Sequence, residues 1–286
     1  MPEIELVGAG GEPVDLRRTL ASHGVAELVP NRLDEEAWTL ETTLAVNGRA
    51  RTVRVSEGRP GYARVDGGTG VLDVVRHMLR LDEDLSRFYA LVAQDGELAW
   101  VTRGAGRMLR SPTVFEDVVK TVCTTNCAWS GTVRMVTALV EHLGVEGRHG
   151  RSFPGPEAMA EAGDDFYKDV ARAGYRGPYL HAIAAAVADG SLDLEALDGR
   201  SDLPDDEVAE RLLALPGVGP YAAAHIMMLL GRYGRLILDS WTRPKYSQLT
   251  TGRKISDRTI ERRFRRYRDF AGLAFWMYLT KDWVEE

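Results

Sequence analysis

The chain has 286 residues and a mass of 31.7 kDa, and its 44% hydrophobic and 27% charged residues are typical of a globular protein. This composition excludes a disordered, collagen-like or coiled-coil chain. The formal net charge of −6 argues against indiscriminate coating of nucleic acid, because a phosphate backbone attracts Lys and Arg.

The first 75 residues have the pattern of an antiparallel sheet domain. Residues 38–46 and 50–55 are rich in β-forming side chains, and the dipeptide Asn47-Gly48 between them is typical of a tight hairpin. A short helix is predicted to begin at Asp15. We therefore expect a sheet with one buried face over residues 1–75.

From Val71 onward the apolar residues recur every three or four positions, as in amphipathic helices. Residues 76–286 are predicted to form a mostly helical body with two subdomains, so the fold class is α+β. Pro and Gly mark most of the junctions between the predicted helices. After residue 110 we expect helices at 112–127, 129–143, 156–162, 164–173, 177–189, 204–214, 220–232, 240–248, 256–267 and 270–281.

Two features bear on cofactors and location. The two cysteines, Cys123 and Cys127, are too few for a disulfide framework or a four-cysteine metal cluster. The most apolar later stretch, residues 222–230, contains His225 and is far shorter than the ~20 residues that span a bilayer. Because the first residues are acidic and carry no signal-like apolar run, we expect a cytoplasmic protein.

The most informative segment joins the helices predicted at 204–214 and 220–232. Its sequence is Leu215-Pro216-Gly217-Val218-Gly219. The two glycines allow a tight turn, and amides exposed at the start of the second helix can bind a phosphate without any positive side chain. On the glycines alone, an ordinary corner between helices is an equally good interpretation.

The segment resembles the helix–hairpin–helix motif of the DNA glycosylase superfamily, which includes 3-methyladenine DNA glycosylase II and 8-oxoguanine DNA glycosylase. The resemblance implies that Leu215, Gly217, Val218 and Gly219 grip a DNA phosphate. The superfamily also has an aspartate at a fixed distance, and here Asp239 lies eighteen positions after Tyr221. Asp239 is thus the predicted catalytic carboxylate; the alternative is that it caps the helix that follows, a role that is compatible with catalysis because a cap position holds the side chain still.

The residue at position 221 decides which chemistry the resemblance implies. Bifunctional members have a lysine there, which attacks the sugar as an amine, whereas a tyrosine cannot form a Schiff base. The resemblance therefore implies a monofunctional hydrolase without an iron–sulfur cluster or other required cofactor. Whether a structural monovalent cation binds at the hairpin stays open. Tyr221, Trp276 and Tyr278 are the predicted aromatic residues of a base pocket, with core packing as the alternative.

Three further residues are similar to those with which 8-oxoguanine glycosylase enters the duplex. The segment Gly174-Tyr175-Arg176 implies a wedge at Tyr175 and a contact to the estranged base from Arg176. Asn126 matches the asparagine that fills the gap left by the extruded base. Helix caps and core packing are the plainer interpretations.

The basic residues are unevenly distributed. Residues 243–268 carry ten Lys or Arg and two acids, a net charge of +8 that leaves −14 for the rest of the chain. This segment follows Asp239 directly, so a DNA contact at Arg243 is predicted, although a run of charges is often only solvated helix surface.

Taken together, the resemblance implies a glycosylase that acts on double-stranded DNA containing a damaged base, most of all an alkylated purine such as 3-methyladenine. We accordingly expect the protein to be nucleoid-associated and monomeric. One alternative is an 8-oxoguanine-type enzyme that lacks the lyase lysine. Another is a non-catalytic protein that binds damaged DNA.

Overall fold

The computed structural model describes residues 2–199 and 201–284. Five strands form one antiparallel sheet in the order β1-β5-β4-β3-β2. The hairpin predicted at Asn47-Gly48 is confirmed, since Val46 and Arg49 pair across it and both turn residues have positive φ. The strands are β1 (Glu3–Glu5), β2 (Arg32–Asp34), β3 (Thr39–Val46), β4 (Arg49–Glu57) and β5 (Tyr62–Asp66).

One face of the sheet is buried, as predicted. Val53 and Val55 of β4 pack with Ala63 and Val65 of β5 against the first helices of the chain. Asp15 begins the first of these helices by accepting a hydrogen bond from the backbone N–H three residues later. The helices before residue 100 are α1 (Leu16–Leu20), α2 (Leu72–Met78) and α3 (Ser86–Val92).

The helical body contains nine further α-helices within the described residues. The helices predicted after residue 110 are confirmed to within a few residues, except that residues 164–173 contain a π-helical turn at Phe166–Val170. The helices are α4 (Val114–Thr124), α5 (Trp129–Leu143), α6 (Pro156–Glu161), α7 (Gly177–Ala188), α8 (Asp205–Leu213), α9 (Pro220–Leu229), α10 (Thr242–Leu249), α11 (Asp257–Phe264) and α12 (Ala271–Thr280). Over the described ranges, no helix has the length and apolarity that crossing a membrane requires.

The helical body has two apolar cores. One is formed mainly by α4, α5 and α7 to α9, and the other by α3, α9, α11 and α12. Helix α9 contributes to both cores, and Tyr221 near its start packs against each of them. The boundary between the two cores, and so between the two halves of the helical body, therefore lies at the beginning of α9.

Candidate active site

A cleft of about 950 Å³ lies where the two helical halves meet. One wall comes from the end of α4 and the start of α5, and the other from the loop after α9 and from α12. Tyr221 and His225 of α9 lie between these walls. The described residues that line the cleft include Gly24, Thr124, Asn126, Trp129, Tyr221, His225, Asp239, Trp241, Arg243, Trp276 and Trp283.

Asp239 is held in the cleft wall by its own backbone. Its Oδ1 accepts hydrogen bonds from the N–H groups of Trp241 and Thr242 at 2.8 and 2.7 Å, and Thr242 Oγ1 accepts one from the N–H of Asp239 at 2.9 Å. Asp239 therefore caps the beginning of α10, which was the alternative considered for it. Among residues 2–199 and 201–284, no donor contacts Oδ2, so one carboxylate oxygen stays available in a half-buried position.

Three tryptophans form an aromatic wall beside this carboxylate. Trp241 packs against Trp276 and Trp283 with ring centroids 5.6 and 5.5 Å apart, and the latter two are 5.9 Å apart. Trp276 is fixed further because its Nε1 donates a 2.8 Å hydrogen bond to the carbonyl of Ser22. Across the cleft, Trp129 is 45% exposed. Flat apolar surfaces of this kind suit a planar ring system.

Tyr221 lies in the cleft, and its hydroxyl is 3.3 Å from Thr124 Oγ1. Burial, reinforced by the negative charge of Asp239, raises the pKa of Tyr221 above its ordinary value. The ring of His225 is 6.1 Å from that of Tyr221. Burial lowers the pKa of His225 to about 4, so this imidazole is neutral at pH 7.

Tyr278 does not line this cleft, so the prediction for it was wrong. Its ring packs against Tyr246 and Phe264 and lies under the guanidinium of Arg263, 4.6 Å from the ring centroid. Two positions along a helix correspond to a rotation of roughly 200°, so Trp276 and Tyr278 point to opposite sides of α12.

The hairpin predicted at 215–219 joins α8 to α9. The side chains of Leu215 and Val218 are buried in the first helical core and are not available to a ligand, so their predicted role is confined to holding the turn. Gly217 has φ +80°, and a Cβ there would lie 2.7 Å from the ring of Tyr179. Within the described part of the chain, no acceptor is found for the backbone N–H of Gly217 or Gly219, and Gly219 is exposed.

Asn126 and Tyr175 meet at the rim of the cleft. Asn126 Nδ2 donates a 3.4 Å hydrogen bond to the Tyr175 hydroxyl, and Tyr175 is 52% exposed. Asn126 also has φ +43°, a conformation that asparagine tolerates better than most residues. The structure thus brings together two residues that lie 49 positions apart in the sequence.

Arg176 does not project from this rim, contrary to the prediction of a contact to the estranged base. Its side chain is buried, and its guanidinium donates hydrogen bonds to the carbonyls of Thr125 and Asn126. The guanidinium carbon also lies 4.5 Å from the centroid of the Tyr175 ring. Arg176 therefore holds the two segments of the rim together.

The basic segment 243–268 divides into paired and unpaired cations. Arg243, predicted to contact DNA, lines the cleft and forms a bidentate pair with Asp257 at 2.8 and 2.9 Å. Lys245, Arg263 and Arg266 are also paired with acids. In the described ranges, six exposed cations have no ion pair: Arg253, Lys254, Arg258, Arg262, Arg265 and Arg268.

A second cleft, of about 550 Å³, extends from this surface to the beginning of α9. It runs from Pro220 at the beginning of α9 to Arg265 and Arg268. The unpaired guanidinium groups of Arg265 and Arg268 therefore border a depression that ends at the residue directly after the hairpin, and four arginines outnumber the two acids that line it, so the local potential is positive.

All five lysines lie in the described residues, and none of them lines the cleft. Lys120 is buried in the first core, where its Nζ is 2.6 Å from Glu116 Oε1. No group of three or more His, Cys, Asp or Glu residues suited to a metal ion is found in the described ranges.

Sequence reasoning missed His225, Trp241 and Trp283. The signal for His225 was its position one helical turn after Tyr221, which places both residues on the same face of α9. Trp241 follows Asp239 by two positions, but nothing in the sequence indicates that its ring packs on α12.

The fold is that of helix–hairpin–helix DNA glycosylases. The structure is similar to the 3-methyladenine DNA-glycosylase from Archaeoglobus fulgidus, with a TM-score of 0.75 and 20% identity over 100% of both chains. It is also similar to the 8-oxoguanine glycosylase/lyase from Clostridium acetobutylicum in its apo form, with a TM-score of 0.71 and 20% identity over 94% of this chain and 93% of that one. A DNA-3-methyladenine glycosidase from Bacillus halodurans matches 68% of the chain, and 87% of its own, at a TM-score of 0.52 and 21% identity. No protein-family model matches the sequence, and no curated protein sequence does.

Proposed function

We propose that this protein is a monofunctional DNA glycosylase that hydrolyses the N-glycosidic bond of an alkylated purine, such as 3-methyladenine, extruded from double-stranded DNA. The observation that carries the proposal is the half-buried carboxylate of Asp239, fixed by two backbone amides in the wall of a tryptophan-lined cleft. The fold and the neighbouring phosphate-binding features support it.

The DNA backbone would lie across the hairpin and the basic surface. The amides of Gly217 and Gly219 have no acceptor among the described residues, and they stand at the beginning of α9, where the helix dipole favours an anion. Arg265 and Arg268 border the adjoining cleft with unpaired guanidinium groups. A duplex seated here brings one strand past the opening that leads to Asp239.

The rim residues and the tryptophans would have different roles when a base is extruded: the former fill the gap in the duplex and the latter stack on the base. Removing a base from the stack costs a few kcal/mol, which is offset when side chains fill the gap and the base finds a new stacking surface. Asn126 and Tyr175 form an exposed, hydrogen-bonded pair that would enter the gap. Trp276 and Trp241 would provide the surface inside the cleft.

Asp239 would act on the sugar. As the bond between C1′ and the base breaks, both electrons of that bond leave with the base and positive charge develops on the sugar. The free Oδ2 would stabilise this charge, and a fixed carboxylate in a site shielded from water is worth several kcal/mol. A water molecule then adds to C1′ and gives up a proton, which leaves an abasic site and the free base.

The protonation states in the cleft favour a base that already carries a positive charge. The pKa of His225 is lowered to about 4, so it holds no acidic proton at neutral pH, and the pKa of Tyr221 is raised, so its hydroxyl gives up a proton poorly. An alkylated cationic purine departs as a neutral molecule and needs no proton from the protein. Its charge also suits the faces of the tryptophans.

The absence of an amine from the cleft supports hydrolysis without strand cleavage. None of the five lysines, all in described positions, borders it, and Tyr221 occupies the place where a lyase lysine would stand. We therefore expect borohydride to trap no covalent adduct between the protein and DNA. An efficient trap would refute the monofunctional mechanism.

An 8-oxoguanine-type enzyme without lyase activity is a second candidate. The observation in its favour is the pairing of Asn126 with Tyr175 at the rim, where the sequence resembles that family. Such an enzyme would have to expel a neutral base, and neither His225 nor Tyr221 readily donates a proton to it at neutral pH.

The test incubates the purified protein with duplexes that each carry one alkylated, oxidised or deaminated base, followed by alkali to reveal abasic sites. We expect release of alkylated purines by the wild type and a loss of 10²-fold or more in Asp239→Asn. Because asparagine can still accept the two amide hydrogen bonds, this variant should keep its fold and its affinity for duplex DNA. Failure to release any base would leave a non-catalytic protein that binds damaged DNA.

A further inference from the structure

One buried polar group in the cleft has no part in the reaction proposed above. His225 lies one helical turn after Tyr221, and its side chain is only 6% exposed. Its imidazole forms part of the cleft wall together with Tyr221, Asp239 and Trp276. A molecule that fills the cleft next to the carboxylate therefore touches this ring.

The imidazole of His225 has no hydrogen-bond partner at either nitrogen within the described residues. Its Nε2 is completely enclosed, so Nδ1 is the nitrogen that a molecule in the cleft can reach. The ring of the neighbouring His23 is 5.8 Å away; its Nε2 donates a 2.6 Å hydrogen bond to the carbonyl of Leu109, while its Nδ1 is also buried and without a partner among the described residues. Because Nδ1 of His225 makes no hydrogen bond within the described residues, a ligand that offers it a complementary donor or acceptor gains one hydrogen bond over a ligand that does not.

The charge state of His225 suits a positively charged ligand. Burial lowers its pKa to about 4, although the carboxylate of Asp239 acts in the opposite direction. At neutral pH the ring carries one N–H and one free lone pair, and no charge. An imidazolium at this place would repel a cationic base, whereas the neutral ring accommodates it.

We infer that His225 is a specificity-determining residue whose Nδ1 forms a hydrogen bond with the edge of the purine extruded into the cleft. The inference rests on the proposed function and deepens it, because purine lesions differ in the donors and acceptors that their edges present. A purine with a complementary group at Nδ1 gains one hydrogen bond that another purine lacks. The tryptophan wall, by contrast, accepts any flat ring.

Binding to uncleavable duplexes tests the inference separately from catalysis. The probes carry 2′-fluorinated nucleotides of 7-methylguanine, hypoxanthine or 8-oxoguanine, in which the fluorine resists cleavage by disfavouring positive charge on the sugar. A duplex with a tetrahydrofuran abasic-site analogue has no base and serves as the reference. The Kd of each purine duplex is divided by the Kd of this reference, and the spread of Kd is the ratio of the largest to the smallest of the three values.

Three substitutions form a matched set. His225→Asn places an amide close to the position of Nδ1, His225→Gln places it close to Nε2, and His225→Leu has no polar atom. We expect the His225→Leu and His225→Gln variants to reduce the spread of Kd by about five- to tenfold, because each loses the one hydrogen bond at Nδ1. Asn should stay within about twofold of the wild type, and the affinity for the abasic analogue should not change in any variant.

Several results would overturn the inference. It fails if all three variants keep the wild-type spread, if the wild type shows no spread, or if the Asn variant loses as much as the Leu variant. Equal losses on the purine duplexes and on the abasic analogue would indicate a structural role. If the wild type releases no base from natural lesions, the proposed function is refuted instead. The two failures can be distinguished because the spread of Kd is measured on uncleavable duplexes and does not depend on base release.

Discussion

The two buried histidines should make the stability of the protein depend on pH. Burial lowers the pKa of His23 to about 3 and that of His225 to about 4, from 6.5 in both cases. The unfolded chain therefore binds more protons than the folded one below pH 6.5, and stability falls as the pH falls towards the folded-state values. Each histidine lowers the free energy of unfolding by about 1.4 kcal/mol per pH unit in this range, or about 2 kcal/mol between pH 6.5 and pH 5.

Asp117 works in the opposite direction. It is buried, and burial raises its pKa to about 6, so the folded chain takes up a proton there before the unfolded chain does. Its contribution partly offsets that of the histidines below pH 6. Comparison of the wild type with a variant that lacks one imidazole removes this offset, because Asp117 is present in both proteins.

The informative variant is His225→Leu, measured by urea unfolding at half-unit steps from pH 7.5 to pH 5. We expect its free energy of unfolding to fall less steeply than that of the wild type, by about 1.4 kcal/mol per pH unit below pH 6.5. His149→Gln, at an exposed position, is the control and should run parallel to the wild type. Parallel curves for the wild type and His225→Leu would refute the conclusion that this imidazole is buried in its neutral form.

Three further predictions concern the hairpin, the core and the basic surface. Gly217→Ala should lower the free energy of unfolding by about 1–3 kcal/mol in urea titrations, because φ is +80° at this position. Gly219→Ala should change it little, since a Cβ there meets no atom within 4 Å. Equal effects of the two substitutions would contradict the account of the turn. Lys120→Met should cost about 3–5 kcal/mol in the same assay by leaving a buried carboxylate uncompensated, and a loss below 1 kcal/mol would show that the pair is not isolated from water. Replacing Arg265 and Arg268 together by Gln should reduce the slope of log K for duplex DNA against log salt by about 2, and an unchanged slope would remove this surface from the DNA interface.

The fold was largely predictable because its signals are local. The Asn47-Gly48 turn, the change from strand to helical periodicity near Val71 and the glycines at 217 and 219 each constrain only a few neighbouring residues. Helix boundaries followed from Pro and Gly at the junctions. The π-helical turn at Phe166–Val170 carries no comparable signal and was expected to be ordinary helix.

The residues of the site were predictable only where a sequence motif, and not the residue type alone, indicates where a side chain lies. Asp239 and Tyr221, which were assigned from the resemblance to the helix–hairpin–helix motif, lie in one cleft. Trp276 and Tyr278, chosen by residue type, point to opposite sides of α12, which the helical period alone would have indicated. Arg176 shows the remaining difficulty, because whether a guanidinium projects or folds back depends on carbonyls some fifty positions away in the sequence.

The buried guanidinium of Arg176 has a consequence for how this surface can change over evolution. It holds the loop before α5 through the carbonyls of Thr125 and Asn126, and backbone carbonyls do not depend on which side chain they carry. The side chain at position 126 can therefore be exchanged while the loop keeps its shape. The residue proposed to fill the gap in the duplex can therefore change without a change in the loop conformation, because that conformation is held by the buried side chain of Arg176.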